Sequence, residues 1–187
     1  AIGWGRQLDS LFSIGSNLKF IYSGLESYNS YGLAVDVAGS YTSRDRSFVA
    51  SLIAKNIGRQ LKAYEGGEIE PLPFELQIGL SKRLKHLPFR YSVLINHLDK
   101  WDLRYEDPST QNIDPISGEK IEDSDIEKFA DNFMRHIVLG GELMIGKNLS
   151  LRAGYNYKRR QELKITEKTS TVGFSWGIGI RISKFHI

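Results

Sequence analysis

The segment 171–182 reads TVGFSWGIGIRI, and every second residue in it is large and apolar: Val172, Phe174, Trp176, Ile178, Ile180 and Ile182. The residues between them are small or polar: Thr171, Gly173, Ser175, Gly177, Gly179 and Arg181. A strict period of two predicts a β-strand with two unlike faces. Three glycines fall on the polar face. In a sheet whose polar face meets water, each of them loses backbone entropy and packs against nothing. In a transmembrane β-barrel the apolar face meets lipid and the other lines a crowded polar lumen, where small residues leave room.

The same alternation recurs along the chain. It predicts a strand tail over 1–7, with Ile2 and Trp4 opposite Gly3, Gly5 and Gln7. Strands follow over 12–22 and 31–41, the second carrying Leu33, Val35 and Val37 outward and Ala34, Asp36 and Ala38 inward. Residues 48–55 read as the weakest strand, because both of its faces carry apolar residues, and 56–73 read as a longer connection. Further strands are predicted over 74–81, 89–97, 135–144 and 149–157, and a last one is expected to begin at Phe185. Residues 98–132 form the longest irregular stretch, rich in Asp, Glu, Pro and Ser, with a short helix expected within 123–132. Strands of roughly nine to eleven residues match a tilted crossing of a bilayer. Connections near Asp9, Arg44, His86 and Lys147 are short, and those near Ser27, Glu65, Ile116 and Leu163 are mostly longer. Outer-membrane barrels alternate short periplasmic turns with long extracellular loops in this way.

The fold class expected is therefore all-β, an antiparallel transmembrane β-barrel of which this chain supplies about nine strands. Residues 1–187 read as a single β-barrel domain, with 98–132 as a long extracellular loop inside it. A closed bacterial barrel has an even strand number and no free edge, so the domain is expected to be incomplete at both ends. The opening AIGWGRQ has no charged start or apolar core of a signal peptide, which an outer-membrane protein needs, so the leader is expected to be cleaved or to lie outside this piece.

Composition narrows the function classes. Cysteine is absent, which removes disulfides and thiolate metal sites. Lys+Arg 25 against Asp+Glu 22 leaves a formal charge of +3, too small to argue for nucleic acid, and no basic run interleaved with aromatics occurs. The mean hydropathy of −0.31 suits alternating strands, whose two faces cancel. The inward face collects Lys19, Asp36, Glu75, Arg90, Glu142, Arg152 and Arg181, charges of both signs among small residues. They are expected to form a lumen polar network braced by ion pairs. Aromatics near strand ends (Trp4, Tyr22, Tyr31, Tyr41, Phe89 and Tyr157) fit interfacial girdles.

Motifs with catalytic meaning fail on context. Gly173-Phe174-Ser175-Trp176-Gly177 matches the G-x-S-x-G elbow, but the alternation runs straight through Ser175 and no helix follows. The segment 141–148, GELMIGKN, is one residue short of a P-loop, and Asn148 stands where the hydroxyl for Mg²⁺ belongs. His86, His97, His136 and His186 lack zinc spacing, and His136 reads as a hydrogen-bonded inward residue. The acidic segment 114–131 lacks the ordered Ca²⁺-loop pattern. No catalytic residues, no metal and no cofactor are expected. In the long loop, Trp101 and Tyr105 stand among charges, with Asp102 and Arg104, as an interface anchor or a girdle; these four are the candidate partner-binding residues.

Several segments carry a resemblance: EPLPFELQIG at 70–79, DKWDL at 99–103, LRAGYNY at 151–157 with RRQEL at 159–163, and GFSWG at 173–177 continuing through Phe185. The chain resembles the C-terminal part of the PorQ and PorV type of outer-membrane barrel in the Bacteroidetes type IX secretion system, within the wider FadL-like architecture. The resemblance implies a location in the bacterial outer membrane and a non-enzymatic place in the cell-surface attachment complex. The partners it implies are outer-membrane lipid, a surface protein of the PorZ type held through extracellular loops, and components of the PorU and PorV type. It supplies no catalytic residues. The FadL-like architecture also implies an alternative, a transporter or porin for hydrophobic or small solutes, and a soluble β-sandwich binding module remains a third reading.

Overall fold

The computed structural model describes residues 1–25, 28–64, 67–104, 124–146, 148–163, 171–182 and 185–186. Alternation in sequence becomes one antiparallel sheet, in which each strand pairs with its neighbours in chain order. The strands are β1 (Ile2–Gln7), β2 (Phe12–Leu25), β3 (Tyr28–Thr42), β4 (Phe48–Lys62), β5 (Glu75–Arg83), β6 (Phe89–Ile95), β7 (Ile137–Ile145), β8 (Leu149–Asn156), β9 (Phe174–Ile182) and β10 (Phe185–His186). Helix α1 (Asp125–Arg135) precedes β7, and helix α2 (Tyr157–Leu163) follows β8. The strand order is linear, with β1 and β10 at its two ends. Antiparallel order puts the connections β1–β2, β3–β4, β5–β6, β7–β8 and β9–β10 at one end of the sheet and the others at the opposite end.

The short connections are fixed by local chemistry. In the first, the Asp9 carboxylate accepts the backbone N–H groups of Leu11 and Phe12, each at 2.7 Å. In the second, Asp45 accepts the Ser43 hydroxyl at 2.6 Å and the Ser47 hydroxyl at 2.9 Å. These donors hold the Asp45 carboxyl well below the usual carboxylate range. Segregation of loop length holds at three of the four longer connections. The exception is β2–β3, expected to be a loop around Ser27: β2 continues to Leu25 and β3 begins at Tyr28.

The weakest predicted strand turns out to be one of the longest. β4 runs through to Lys62, so most of the connection expected over 56–73 is strand. The cause is a β-bulge. Val35 pairs with Ile57 and Val37 with Ala54, so Lys55 and Asn56 together oppose Asp36. Asn56 takes φ +57, a conformation that asparagine tolerates better than most residues. The extra residue swaps the two faces. Ile53 and Lys55 share the polar face before the bulge, as do Gly58 and Gln60 after it. Just beyond the bulge the β3 backbone closes in: a Cβ at Gly58 would clash with the Leu33 carbonyl oxygen and sit 2.7 Å from the Ala34 Cα.

Packing is inverted relative to a sheet with an oily core. Among the described residues the buried polar and charged groups are Ser30, Asp36, Gln77, Asn132 and His136, and Ala34, 1% exposed, is the only buried hydrophobic residue. The large apolar side chains stand out from the other face, with Phe20, Leu18, Trp176 and Ile178 at least half exposed. The inverted sheet depends on β4 keeping its bulge. Gly58→Ala is expected to cost about 3 kcal/mol, because its clash is with backbone that cannot swing aside. Asn56→Gly, which keeps the positive φ, should cost less than Asn56→Ala. Denaturant midpoints of the three variants check this order.

Candidate functional site

All seven residues of the expected polar network lie on the face opposite the large apolar side chains, and the register collects them into separate groups. The first spans β2, β3 and β4. Lys19 Nζ lies 2.6 Å from Asp36 Oδ2 and donates to Asn56 Oδ1 at 3.1 Å. The bulged N–H of Asn56 donates to Asp36 Oδ1 at 3.0 Å, and the Asn56 amide donates to the Pro73 carbonyl at 2.8 Å. The bulge thus supplies both partners that a paired lysine and aspartate still lack. Asn56 was not among the predicted site residues; its position in an apparent loop hid it.

The second group centres on Glu75, with Lys55 at 3.7 Å and His97 Nδ1 at 3.7 Å. Gln77 donates to Glu75 at 2.7 Å, and Lys158 Nζ lies 3.4 Å from His97 Nε2. The third is a row across five strands: Arg83 pairs with Arg90, Arg90 with Glu142, Glu142 with Arg152, and Arg152 with Gly177. Arg152 donates from Nε to Glu142 at 2.9 Å, while Arg90 reaches the other carboxylate oxygen at 3.9 Å. Arg181, the seventh predicted residue, joins neither this carboxylate nor any other described acid. Arg83 shares that condition, although its place in a basic run gave it the look of a turn residue.

At the opposite end of the sheet the predicted partner-binding residues form a different arrangement. The Trp101 ring is 55% exposed, stacks on His136 with centroids 5.3 Å apart, and leans on Phe129 at 5.6 Å. Its carbonyl accepts the Asn132 amide at 2.7 Å and lies 2.9 Å from His136 Nε2, while His136 Nδ1 lies 2.8 Å from the Asn96 carbonyl. Both ring nitrogens of this buried histidine thus face carbonyl oxygens, and both contacts are hydrogen bonds only when both nitrogens carry hydrogen. Asp102 is exposed and accepts the Arg104 N–H at 3.1 Å. Arg104 is turned inward, with Nε 3.6 Å from Asp131, and Asp131 also binds Arg135 at 2.8 Å and the Tyr157 hydroxyl at 2.8 Å. Tyr105 lies outside the described residues.

Helix α1 explains how this arrangement is held. Ser124 caps it, accepting the Glu127 N–H while Glu127 accepts the Ser124 N–H, a reciprocal pair that satisfies two donors at the helix start. Asp131, Asn132 and Arg135 turn toward the protein, and Ile126, Phe129 and Phe133 stay exposed. Trp101, Asp102, Arg104, Lys128, Phe129 and Asn132 line a cavity of about 570 Å³. No group of three His, Cys, Asp or Glu residues with metal-binding geometry occurs among the described residues. Ser175 sits inside β9, paired with Gly154, with no turn to a helix at its position.

Comparison with models of known families, with curated proteins and with solved structures finds no match to this chain.

The buried group on β2–β4 makes a direct test of the ion-pair account. Asp36→Ala leaves Lys19 facing Asn56 alone and is expected to cost about 3 kcal/mol, since a half-buried charge loses its partner. The double change Lys19→Met with Asp36→Ala should recover part of that loss. A double-mutant cycle on unfolding free energies measures the coupling.

Proposed function

We propose that this chain is part of a membrane-embedded outer-membrane β-barrel without catalytic activity, whose long connections dock a partner at the cell surface. The observation that carries the reading is the inverted polarity of the sheet. Covering a large apolar side chain contributes roughly 1.5–3 kcal/mol. A sheet that leaves such side chains exposed across its strands, and encloses ion pairs instead, has the free-energy balance of an element solvated by lipid. Lipid also requires every backbone group to be paired, so the reading requires partners for the outer edges of β1 and β10. No helix among the described residues is long and apolar enough to cross a membrane.

The docking part of the reading rests on the resemblance to type IX secretion barrels and on the end of the sheet that carries α1. There Trp101 and Phe129 flank a cavity between Asp102 and Lys128, a mixture of aromatic and charged groups suited to holding a protein surface. The partners proposed are a surface protein of the PorZ type with PorU and PorV type components.

Two measurements test these parts separately. In single-tryptophan variants reconstituted into bilayers, Trp176, 75% exposed, is expected to be strongly quenched by lipids brominated on their acyl chains, and Trp101 only weakly. An unquenched Trp176, or a protein that stays dispersed in water without detergent, rejects the membrane reading. For docking, Trp101→Ala with Phe129→Ala in the full-length protein should reduce co-purification of the surface partner at least tenfold. Trp176 quenching should stay unchanged in that variant, and undiminished co-purification would move the docking site elsewhere.

A further inference from the structure

The charged groups of the polar face are not balanced evenly along the strands. Toward the α1 end, Lys19 has Asp36 and Lys55 has Glu75. Toward the short-turn end, Arg83, Arg90, Arg152 and Arg181 share the same face with the single carboxylate of Glu142. That carboxylate is already engaged by Arg90 and Arg152. Neither Arg83 nor Arg181 has an ion pair or a side-chain hydrogen bond among the described residues.

Three of these four arginines, all but Arg90, line one space. A cavity of about 660 Å³ is lined by Arg83, Arg152, Arg181, Ser150, Met144 and Gly179. Gly179 keeps it open where β8 meets β9: a Cβ there would lie 2.6 Å from the Ser150 hydroxyl and 3.6 Å from Arg152 Nη2. Three arginines and a hydroxyl line the same space, and one of the guanidinium groups is held by the Glu142 carboxylate, a donor set whose chemistry suits an oxyanion. A lysine-lined surface would offer charge without the guanidinium fork. The volume exceeds what inorganic phosphate needs and leaves room for an organic group beside it.

We propose that the short-turn end of the polar face is an anion-binding site for a phosphate group, held by Arg83, Arg152 and Arg181. Arg90 and Glu142 position Arg152 by fixing its guanidinium in the cross-strand row. Ser150 donates its hydroxyl. The site is independent of partner docking at the other end, and it belongs to the polar face whatever covers the apolar one.

The full chain in neutral-lipid nanodiscs is titrated with inorganic phosphate and then with glycerol 3-phosphate, read by ³¹P line broadening. Saturable binding is expected, weakened at least tenfold by Arg83→Gln with Arg181→Gln. That pair of changes should leave the melting temperature within a degree or two, because neither side chain braces the fold. Nanodiscs containing phosphatidic acid separate the two sources of the group. Loss of glycerol 3-phosphate binding in them assigns the site to a lipid headgroup, and undiminished binding assigns it to a free phosphate ester. No saturable binding of either soluble probe in neutral discs, together with no Arg83- and Arg181-dependent binding of phosphatidic acid, overturns the proposal. So does equal affinity in the double variant.

Discussion

A charge drawn partly out of water on the polar face of a sheet must be compensated where it lies, because strands offer no freedom to bring a partner from a distance. In this protein that constraint is met by register. The Lys19–Asp36 pair joins adjacent strands, and its remaining hydrogen-bonding capacity is filled by a residue that exists only because β4 carries one more residue than β3 at that point. Deprived of the Asn56 bulge, Asp36 would face a regular ladder with no free N–H aimed at its carboxylate. Lys19 would lose the amide oxygen that completes its coordination. The bulge, the ion pair and the close approach at Gly58 are one device, and the three-strand section with the longest strands is built around it.

The period of two made most of this sheet legible in the sequence. β5, β8 and β9 were readable almost residue for residue, since each keeps a single phase from end to end. β4 was not, because the bulge at Asn56 reverses its phase and makes the alternation cancel when read straight through. The β2–β3 connection was expected to be longer because Gly24 and Ser27 resemble loop composition, although Leu25 and Tyr28 keep the strands going. Helix α2 was hidden by its shortness and by a run of charge, Lys158-Arg159-Arg160, that reads equally well as a solvated loop. Helix α1 was expected, and Ser124 with Glu127 three residues later is the local signal that fixes its start.

Site residues were legible as a face and illegible as groups. Alternation assigns Arg90, Glu142 and Arg152 to one side of the sheet, but which of them touch is set by register, and register is set by turns that the sequence specifies only loosely. Arg83 shows the consequence. It sits in Lys82-Arg83-Leu84-Lys85, where composition says turn, yet it is the last residue of β5 and stands beside Arg90 in the same row. Arg104 shows the reverse. It stood among exposed charges in the sequence, and the fold turns it toward Asp131, an acid that also binds Arg135 of α1.

The two ends of the sheet consequently carry different chemistry on one scaffold. At the α1 end Asp131 sits in ion pairs with Arg104 and Arg135, and Glu75 with Lys55, while three aromatic rings stay exposed: Trp101, Phe129 and Phe133. At the other end rings also meet, Tyr41 lying against both Phe12 and Phe48, but on the polar face guanidinium groups outnumber carboxylates among the described residues. A surface whose charges are internally satisfied but whose rings are bare gains most from covering by another apolar surface. A surface whose cations exceed its anions gains most from a diffusible or headgroup anion. Both tendencies follow from where single residues fall in the ladder. Moving the register of β8 by one residue would carry Arg152 to the apolar face and leave Glu142 opposite a leucine or an alanine.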